Sequence, residues 1–281
     1  MDPLKRTSHS GWIFVLPGFI GVLLFYIIPF LISWYYTFTK GVAEIRFVWL
    51  ENFAELFGSS AFVLATKNTF KFIAIGVPII TIISLGLSLM MEDKLYKFPR
   101  WAMLSPMIIP VASALMGWSV ILGDTGIINK LITFLGHSPI EFFGGKYAAA
   151  VVIFIFIIKN IGYMSIIFTG ALSSIDKDYK AAFFLDSASN IKYTIKIVIP
   201  LIAPIIFFVI ILSIVNSFQM FREVYAIYGD YPPQCVYLLQ NFMNNNFFKL
   251  NYQRLSTSAF VIIMGMSVIV ALFLHFQKKS D

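Results

Sequence analysis

The sequence predicts an all-α integral membrane protein, a bundle of six transmembrane helices. Three observations carry that prediction. Six apolar stretches, each long enough at about 20 residues to cross a hydrocarbon core about 30 Å thick, recur along the chain. The 281 residues are 59% hydrophobic and only 12% charged, against about 45–50% and about 25% in soluble domains. Mean hydropathy is +0.83, which suits a chain whose main solvent is lipid.

The predicted spans run Trp12–Tyr36, Thr69–Met91, Trp101–Leu122, Tyr147–Gly170, Ile197–Phe218 and Ser258–Phe276. Trp12, Tyr35, Tyr36, Trp101 and Tyr147 stand at span ends, where amphipathic rings favour the membrane interface. The first stretch is read as a retained helix and not a signal peptide, because it is long, contains Pro17 and Pro29 and has no small-x-small cleavage pattern after it. Pro78, Pro106, Pro110, Pro200 and Pro204 fall in or beside spans. Each removes a backbone donor and bends its helix. The kinks either shape a pore or reflect the commonness of proline in membrane helices. The apolar stretches continue to the end of the chain, so residues 1–281 are expected to form one membrane domain.

Lys and Arg positions set the orientation. With the N-terminus inside, one side holds Lys5, Arg6, Lys94, Lys97, Arg100, Lys177, Lys180, Lys192, Lys196, Lys278 and Lys279, eleven in roughly 50 residues. The other holds Lys40, Arg46, Lys67, Lys130, Lys146, Arg222, Lys249 and Arg254, eight in roughly 100. The denser side is cytoplasmic, so both termini are predicted there. The net charge of +7 forms no basic face, and nucleic acid is excluded as a partner. Cys235 is the single cysteine, so neither an internal disulfide nor a cysteine zinc cluster can form.

The segment between spans four and five carries the most information. Ser173 with Asp176 has the form of a helix cap, and Asp176 and Asp178 suit the positive end of a helix dipole. No breaker interrupts Lys177 to Leu185, and Tyr179, Ala182, Phe183 and Asp186 share one helical face. Ser187, Ala188, Ser189 and Asn190 permit a turn before a second helical stretch enters span five. A short helix exposing Phe183, Phe184 and Leu185 needs lipid, the rest of the chain or another protein against it.

This segment resembles the signature loop of the inner-membrane permeases of binding-protein-dependent ABC importers. That signature has Glu-Ala-Ala, three residues, Asp-Gly-Ala, a spacer, and Ile-x-Leu-Pro. Here Lys180-Ala181-Ala182, Asp186-Ser187-Ala188 and Ile197-Val198-Ile199-Pro200 keep the spacing. Lys180 replaces the acidic residue. Ser187 replaces the glycine, where a left-handed turn would strain a serine. The carbohydrate branch, the maltose and glycerol-phosphate type, is the most similar. Trp49-Leu50-Glu51-Asn52-Phe53 with Asn68-Thr69-Phe70 resembles its first external loop. Phe98-Pro99-Arg100 with Pro106 and Pro110, Gly126-Ile127-Ile128-Asn129, and Phe218-Gln219-Met220-Phe221 match as well.

The resemblance implies a multi-pass permease in a bacterial or archaeal cytoplasmic membrane. It implies a second, homologous permease subunit as heterodimer partner, two ATPase subunits and an extracytoplasmic solute-binding protein. The chain would bind no cofactor of its own, with ATP and Mg held by the ATPases. The coupling helix, Tyr179, Lys180, Ala181, Ala182, Phe183, Leu185, Asp186, Ser187 and Ala188, would sit in an ATPase cleft. Phe183 and Leu185 would be apolar anchors, and Ala181 and Ala182 would permit close approach. Motion of the ATPases would then rock the spans between two access states.

The residues agree that the chain is not itself an ATPase. A P-loop needs Gly, four residues, then Gly-Lys-Ser or Gly-Lys-Thr. Gly144-Gly145-Lys146 is followed by Tyr147 and lacks the leading glycine. His9, His137 and His275 are far apart and no metal site is expected. Lys159, near the middle of span four, is the costliest residue, since a charge at mid-bilayer costs at least about 2.5–3.5 kcal/mol. Lys159, Asn160 and Tyr163 either line a wet pathway or make structural bonds to neighbouring spans. Asn216 and Gln219 close span five; their amides suit sugar hydroxyls or join helices. The long external loop from Gln219 to Thr257, with Tyr225, Tyr228, Tyr231, Tyr237 and Tyr252, touches the binding protein, folds over the pore mouth, offers aromatic faces to sugar rings, or simply packs.

The expected function is therefore half of a translocation path for a sugar or oligosaccharide, coupled through residues 173–200. Two rivals remain. One is an ABC permease for a peptide, amino acid or phosphate ester. The other is an ion-coupled secondary transporter, which requires acids inside spans, and no Asp or Glu falls inside the six as predicted.

Overall fold

The computed structural model describes residues 8–41, 44–92, 106, 108–186 and 189–278. Six helical stretches are long and apolar enough to cross a membrane: Phe14–Phe38, Ser60–Met91, Val111–Phe134, Ala148–Ser173, Ala203–Tyr228 and Tyr252–His275. The number and order match the sequence prediction. Trp101, where the third span was expected to begin, lies outside the described residues, as do Phe98, Pro99 and Arg100. So do Lys5, Arg6, Lys94, Lys97 and Lys279 of the orientation count.

The helices outrun the predicted spans where polar residues lowered the local hydropathy. The second begins at Ser60, ahead of Lys67 and Asn68, and the sixth at Tyr252. Ser256, Thr257 and Ser258 are buried there, and Thr257 Oγ1 donates to the Gln253 carbonyl at 2.7 Å. A hydroxyl bonded back to its own helix presents little unmet polarity.

The chain forms two compact units, Met1–Phe62 with Met243–Val268, and Val63–Phe242 with Ile269–Asp281. In the first unit, α1 (Ser8–Val22) runs through a π-helical turn, Leu23–Ile27, into α2 (Ile28–Phe38). The turn sits just before Pro29. There the Ile28 N–H reaches the Leu23 carbonyl, five residues back, which widens the helix beside a residue that can make no such bond. A two-stranded hairpin follows, β1 (Thr39–Lys40) and β2 (Arg46–Phe47), with Thr39 opposite Phe47 and Lys40 opposite Arg46. Directly opposed like charges repel. Glu51 of α3 (Glu51–Phe57) offsets this, lying 2.7 Å from Lys40 and 3.8 Å from Arg46. Phe38, Phe53 and Phe260 form a trio with centroids 5.7–5.9 Å apart, Phe260 edge-to-face with the other two.

The second unit holds most of α4 (Ser60–Glu92), then α5 (Val111–Leu122), α6 (Ile127–Phe134) and α7 (Ala148–Ser173). The surface helix α8 (Lys177–Asp186) and the short α9 (Asn190–Tyr193) follow. A second π-helical turn, Thr194–Val198, again precedes a proline, Pro200, in α10 (Ile199–Leu201). The unit continues through α11 (Ala203–Gln219) and α12 (Phe221–Tyr228), while α13 (Leu239–Phe248) and α14 (Tyr252–Lys278) are each divided between the two units. Its core is built around α7, whose Val152, Ile155, Phe156, Met164 and Phe168 are at most 2% exposed. Gly76 of α4 lets Phe156 come close: a Cβ there would meet the ring at 3.3 Å.

Small polar residues stitch α4 to α7. Ser88 Oγ donates to the Ser165 carbonyl at 2.8 Å, and Ser84 Oγ to the Ile161 carbonyl at 3.4 Å. Such residues allow close backbone approach where lipid supplies no hydrophobic drive between helices. Burial separates the spans. Half of the apolar window of Ala148–Ser173 is covered, but none of Phe14–Phe38 and only 11% of Val111–Phe134 and of Tyr252–His275. The uncovered apolar faces are the ones that require lipid or another chain.

Candidate functional site: an ion pair at a cavity, and an exposed surface helix

Lys159 is the twelfth residue of α7, deep in an apolar helix. Its Nζ donates to Oε1 of Glu223, in the first turn of α12. The Glu223 side chain is 5% exposed and that of Lys159 is 22% exposed. A carboxylate in a first helical turn is favoured by the helix dipole, and the facing ammonium offsets the cost of burying it. Lys159 thus has a carboxylate partner, a different solution from either a free cation in a wet path or a lysine bonded to backbone carbonyls.

Glu223 corrects the expectation that the six spans carry no acid. The prediction ended span five at Phe218, where Gln219, Arg222 and Glu223 interrupt the apolar run. The helix instead bends at Met220 and continues, so the apolar stretch extends over Ala203–Tyr228 and includes the acid. Its partner lies 64 positions away, and nothing local in the sequence marks such a pairing.

The pair borders a cavity of about 260 Å³. Most of the wall comes from α5, including Ser113, Gly117 and Trp118, and from Ile155 and Ile158 of α7. Trp118 is braced edge-to-face against Phe154, centroids 5.6 Å apart. Glu223 Oε2 is buried with no hydrogen-bond partner among the described residues.

Beside Lys159 in the chain, Asn160 accepts at Oδ1 from Asn216 Nδ2 of α11 at 3.1 Å, and Asn160 Nδ2 donates to the Phe156 carbonyl at 2.9 Å. These two amides join α7 to α11. Gln219 is not drawn into this group: it is exposed, and its Oε1 accepts from Arg222 Nη2 at 2.8 Å. Tyr163 is half-buried and packs against the core.

The surface helix forms where expected. Asp176 caps it, its Oδ1 accepting from the Asp178 N–H at 3.0 Å. Ser173 does not take part; it ends α7, with its Oγ on the Thr169 carbonyl at 2.7 Å. Tyr179, Lys180, Ala181, Ala182 and Leu185 are exposed, Leu185 at 87%. Phe183 and Phe184 depart from the expected exposure. Both are half-buried, with their rings 5.6 and 5.9 Å from that of Tyr193. An apolar ring beside a helix of its own chain packs there before it waits for a partner. Ser187, Ala188 and the Asp186 side chain lie outside the described residues. Ser189 caps α9, accepting from the Lys192 N–H at 3.3 Å.

The motif asparagines are clamps. Asn52 donates to the Thr37 and Thr39 carbonyls, both at 2.9 Å, which α2 leaves unpaired where it ends. Asn129 donates to the Gly123 and Ile140 carbonyls and accepts from the Ile140 N–H. Gly126 beside it has no room for a side chain: a Cβ would stand 2.8 Å from the Ile121 carbonyl oxygen. Asn68 donates to the Tyr237 carbonyl at 3.0 Å and Thr69 Oγ1 accepts from the Leu239 N–H at 2.9 Å, which ties the loop after α12 to α4. Among the described residues no group of three His, Cys, Asp or Glu could hold a metal.

No protein-family model matches the chain. Relatives do. A probable ABC transporter permease protein of Bacillus subtilis is 26% identical, covering 99% of this chain and 96% of its own. A lactose transport system permease protein of Rhizobium radiobacter is 26% identical over 99% and 97%. A trehalose/maltose transport system permease protein of Thermococcus litoralis is 24% identical over 81% and 79%. A chain of the crystal structure of a bacterial ABC transporter that imports the acidic polysaccharide alginate superposes with a TM-score of 0.82. It is 19% identical, with 95% of this chain and 94% of that one covered. A second structure of an alginate ABC transporter, in complex with an alginate-bound periplasmic protein, gives 0.81. These relatives are transport components and not enzymes. Over nearly its whole length, this multi-pass chain is similar to the permease proteins of sugar ABC transporters and shares their fold.

Proposed function

We propose that residues 1–281 form one permease domain, a transmembrane subunit of an ATP-binding-cassette importer. It forms half of the translocation path for a sugar or oligosaccharide. A second, homologous permease completes the path against the uncovered spans, with lipid over the rest. Two ATPase subunits hold the ATP and Mg and dock on the loop 173–200, and an extracytoplasmic binding protein delivers the solute. Both termini are cytoplasmic, as the Lys and Arg distribution requires, in a bacterial or archaeal cytoplasmic membrane.

The observation that carries this reading is the exposed face of α8. On a chain otherwise devoted to lipid and its own core, a capped ten-residue helix holds Tyr179, Ala181, Ala182 and Leu185 outward. Two alanines permit close approach, and a large apolar residue beside them is what a docking pocket takes. Phe183, turned onto Tyr193, serves instead to fix α8 to the helix that leads into span five. A pull on α8 then passes to α11 through packed rings.

The test is Ala182→Glu with Leu185→Glu. Uptake is expected to fall by at least about tenfold, with loss of ATPase copurification, which corresponds to about 1.4 kcal/mol or more at the interface. Full uptake with an unchanged ATPase band would remove the docking role.

The secondary-transporter rival gains one observation, since Glu223 supplies an acid inside a span. Its carboxylate is bonded to Lys159, however, and similarity to ABC permeases over 99% of the chain supports the importer. Purification from native membranes separates the two: a copurifying ATPase selects the importer.

A further inference from the structure

We propose that α6 is an anchor laid along the membrane surface, with Ile127, Leu131, Phe134 and Leu135 among the acyl chains, and that it fixes the depth of α5. This requires only that the chain crosses the membrane, whatever it transports.

The third apolar stretch, Val111–Phe134, is not one helix. It stops at Leu122 and restarts at Ile127, and Asp124 and Thr125 stand exposed in the break. The crossing needs no part of α6. The sequence assigns it to Trp101–Leu122, about 33 Å of helix at 1.5 Å per residue, which already spans a core about 30 Å thick. Between the span that α5 ends and the span that α7 begins, α6 is held at one membrane surface. It is amphipathic there. Ile127, Leu131 and Phe134, with Leu135 at the C-terminal cap, recur at i, i+4, i+7 and i+8, one helical face. All four are 57–86% exposed. The opposite face is the packed one: Asn129 is 2% exposed and is bonded to Gly123 and Ile140.

Lipid fits this face better than a protein does. A helix about 12 Å long at 1.5 Å per residue presents far less than the about 800 Å² per partner of a stable protein interface. Lys130 is exposed beside the apolar face. Its stem can lie on that face while its ammonium reaches lipid phosphates. The same connection ends in Lys146 over the Tyr147 ring, 5.4 Å from the centroid, and a tyrosine at the start of a span favours the membrane interface. The junction with α5 is stiff. Asn129 Nδ2 holds the Gly123 carbonyl at 3.0 Å, one residue past the end of α5, so the depth of α6 is passed to α5 through a hydrogen bond and not through a loose loop.

The test uses the full chain, purified with its accompanying subunits and reconstituted into phosphatidylcholine vesicles. Cys235, the single cysteine, is changed to Ser. Leu131→Cys, Phe134→Cys and Thr133→Cys each carry a nitroxide. It is relaxed by oxygen, which concentrates in lipid, or by a nickel chelate, which stays in water. Oxygen is expected to relax the labels at 131 and 134 more than the chelate does, and the order to reverse at 133, which is exposed off that face. A chelate that wins at 131 and 134 would put the face in water. Weak relaxation by both would put a protein subunit over it. Either result overturns the anchor. Leu135→Cys reads the same face if one of the first two variants fails to fold. The hold on α5 is read at Val120→Cys, a residue 60% exposed on α5, with Leu131→Asp and Phe134→Asp added. Relaxation by the chelate at 120 is expected to rise as α5 loses its depth, and no change there denies α6 that hold. Leu131→Ser with Phe134→Ser takes the place of the aspartates if that variant is lost. ATPase copurification, scored on the same sample, reports separately on the importer reading.

Discussion

Lys159 and Glu223 show how a single pair is stabilised where each member alone would be expelled. Replacing one charge leaves the other buried without compensation. Glu223→Leu is expected to lower stability by about 3 kcal/mol, and Lys159→Met with Glu223→Leu to recover most of it. Thermal unfolding of the purified protein in detergent measures both; equal losses in the single and double variants would mean that the pair carries no coupling. Lys159 was legible in the sequence because a lysine amid apolar residues has few explanations. Glu223 was not, because it sits where the hydropathy falls and its partner is distant in sequence. The same limit applies to Phe183: composition and period show an apolar residue on a short helix, but only the position of Tyr193 decides that its ring turns inward.

At the level of elements, proline placement explains two irregular helices by one rule. Pro29 and Pro200 each follow a π-helical turn by two residues. The wider turn accommodates a ring that has no N–H to give, so the sequence marks where α1 and the entry to span five deform. The hairpin after α2 depends instead on side chains. Asn52→Ala would leave two buried carbonyls at the end of α2 unmet, at a cost of about 1–3 kcal/mol. Amide exchange in Thr39–Phe47 should then quicken, while exchange within α7 stays as it is. Hydrogen bonds to Glu51 and Glu55 hold the Lys40 ammonium above its ordinary 10.5. The bond to Lys40 holds the Glu51 carboxyl below its ordinary 4.5. The lysine contribution is complete below pH 10.5 and is lost as pH rises through the raised value. The Glu51 contribution is complete above pH 4.5 and is lost as pH falls through the lowered one. The hairpin is thus expected to stay docked between pH 4.5 and 10.5 and to open outside that window, measured by the same exchange; docking unchanged at either extreme would deny the tether a role.

For the whole molecule, topology is the quantity to test. We propose from the Lys and Arg count that α8 lies inside and the loop bearing Cys235 outside. A membrane-impermeant thiol reagent is expected to label Cys235 in intact cells. In a Cys235→Ser background it should label Leu185→Cys only after the membrane is opened. Labelling of Leu185→Cys from outside would invert the orientation and detach α8 from any cytoplasmic motor. The count of six spans needed no tertiary information, since length and hydropathy act within each helix. Which spans form the core did need it: Ala148–Ser173 and Tyr252–His275 have comparable apolar content, yet half of the first is covered and 11% of the second.

The sequence by itself determined what the solvent demands: six helices, the prolines that bend them, and a capped surface helix after span four. Each follows from a run of neighbouring residues, because a bilayer imposes its constraint segment by segment. Tertiary structure alone decided which polar groups meet. Lys159 found Glu223, Asn160 found Asn216, and Asn52 found the end of α2 only once helices distant in sequence had packed, and a hydrogen bond or an ion pair exists only where both partners arrive.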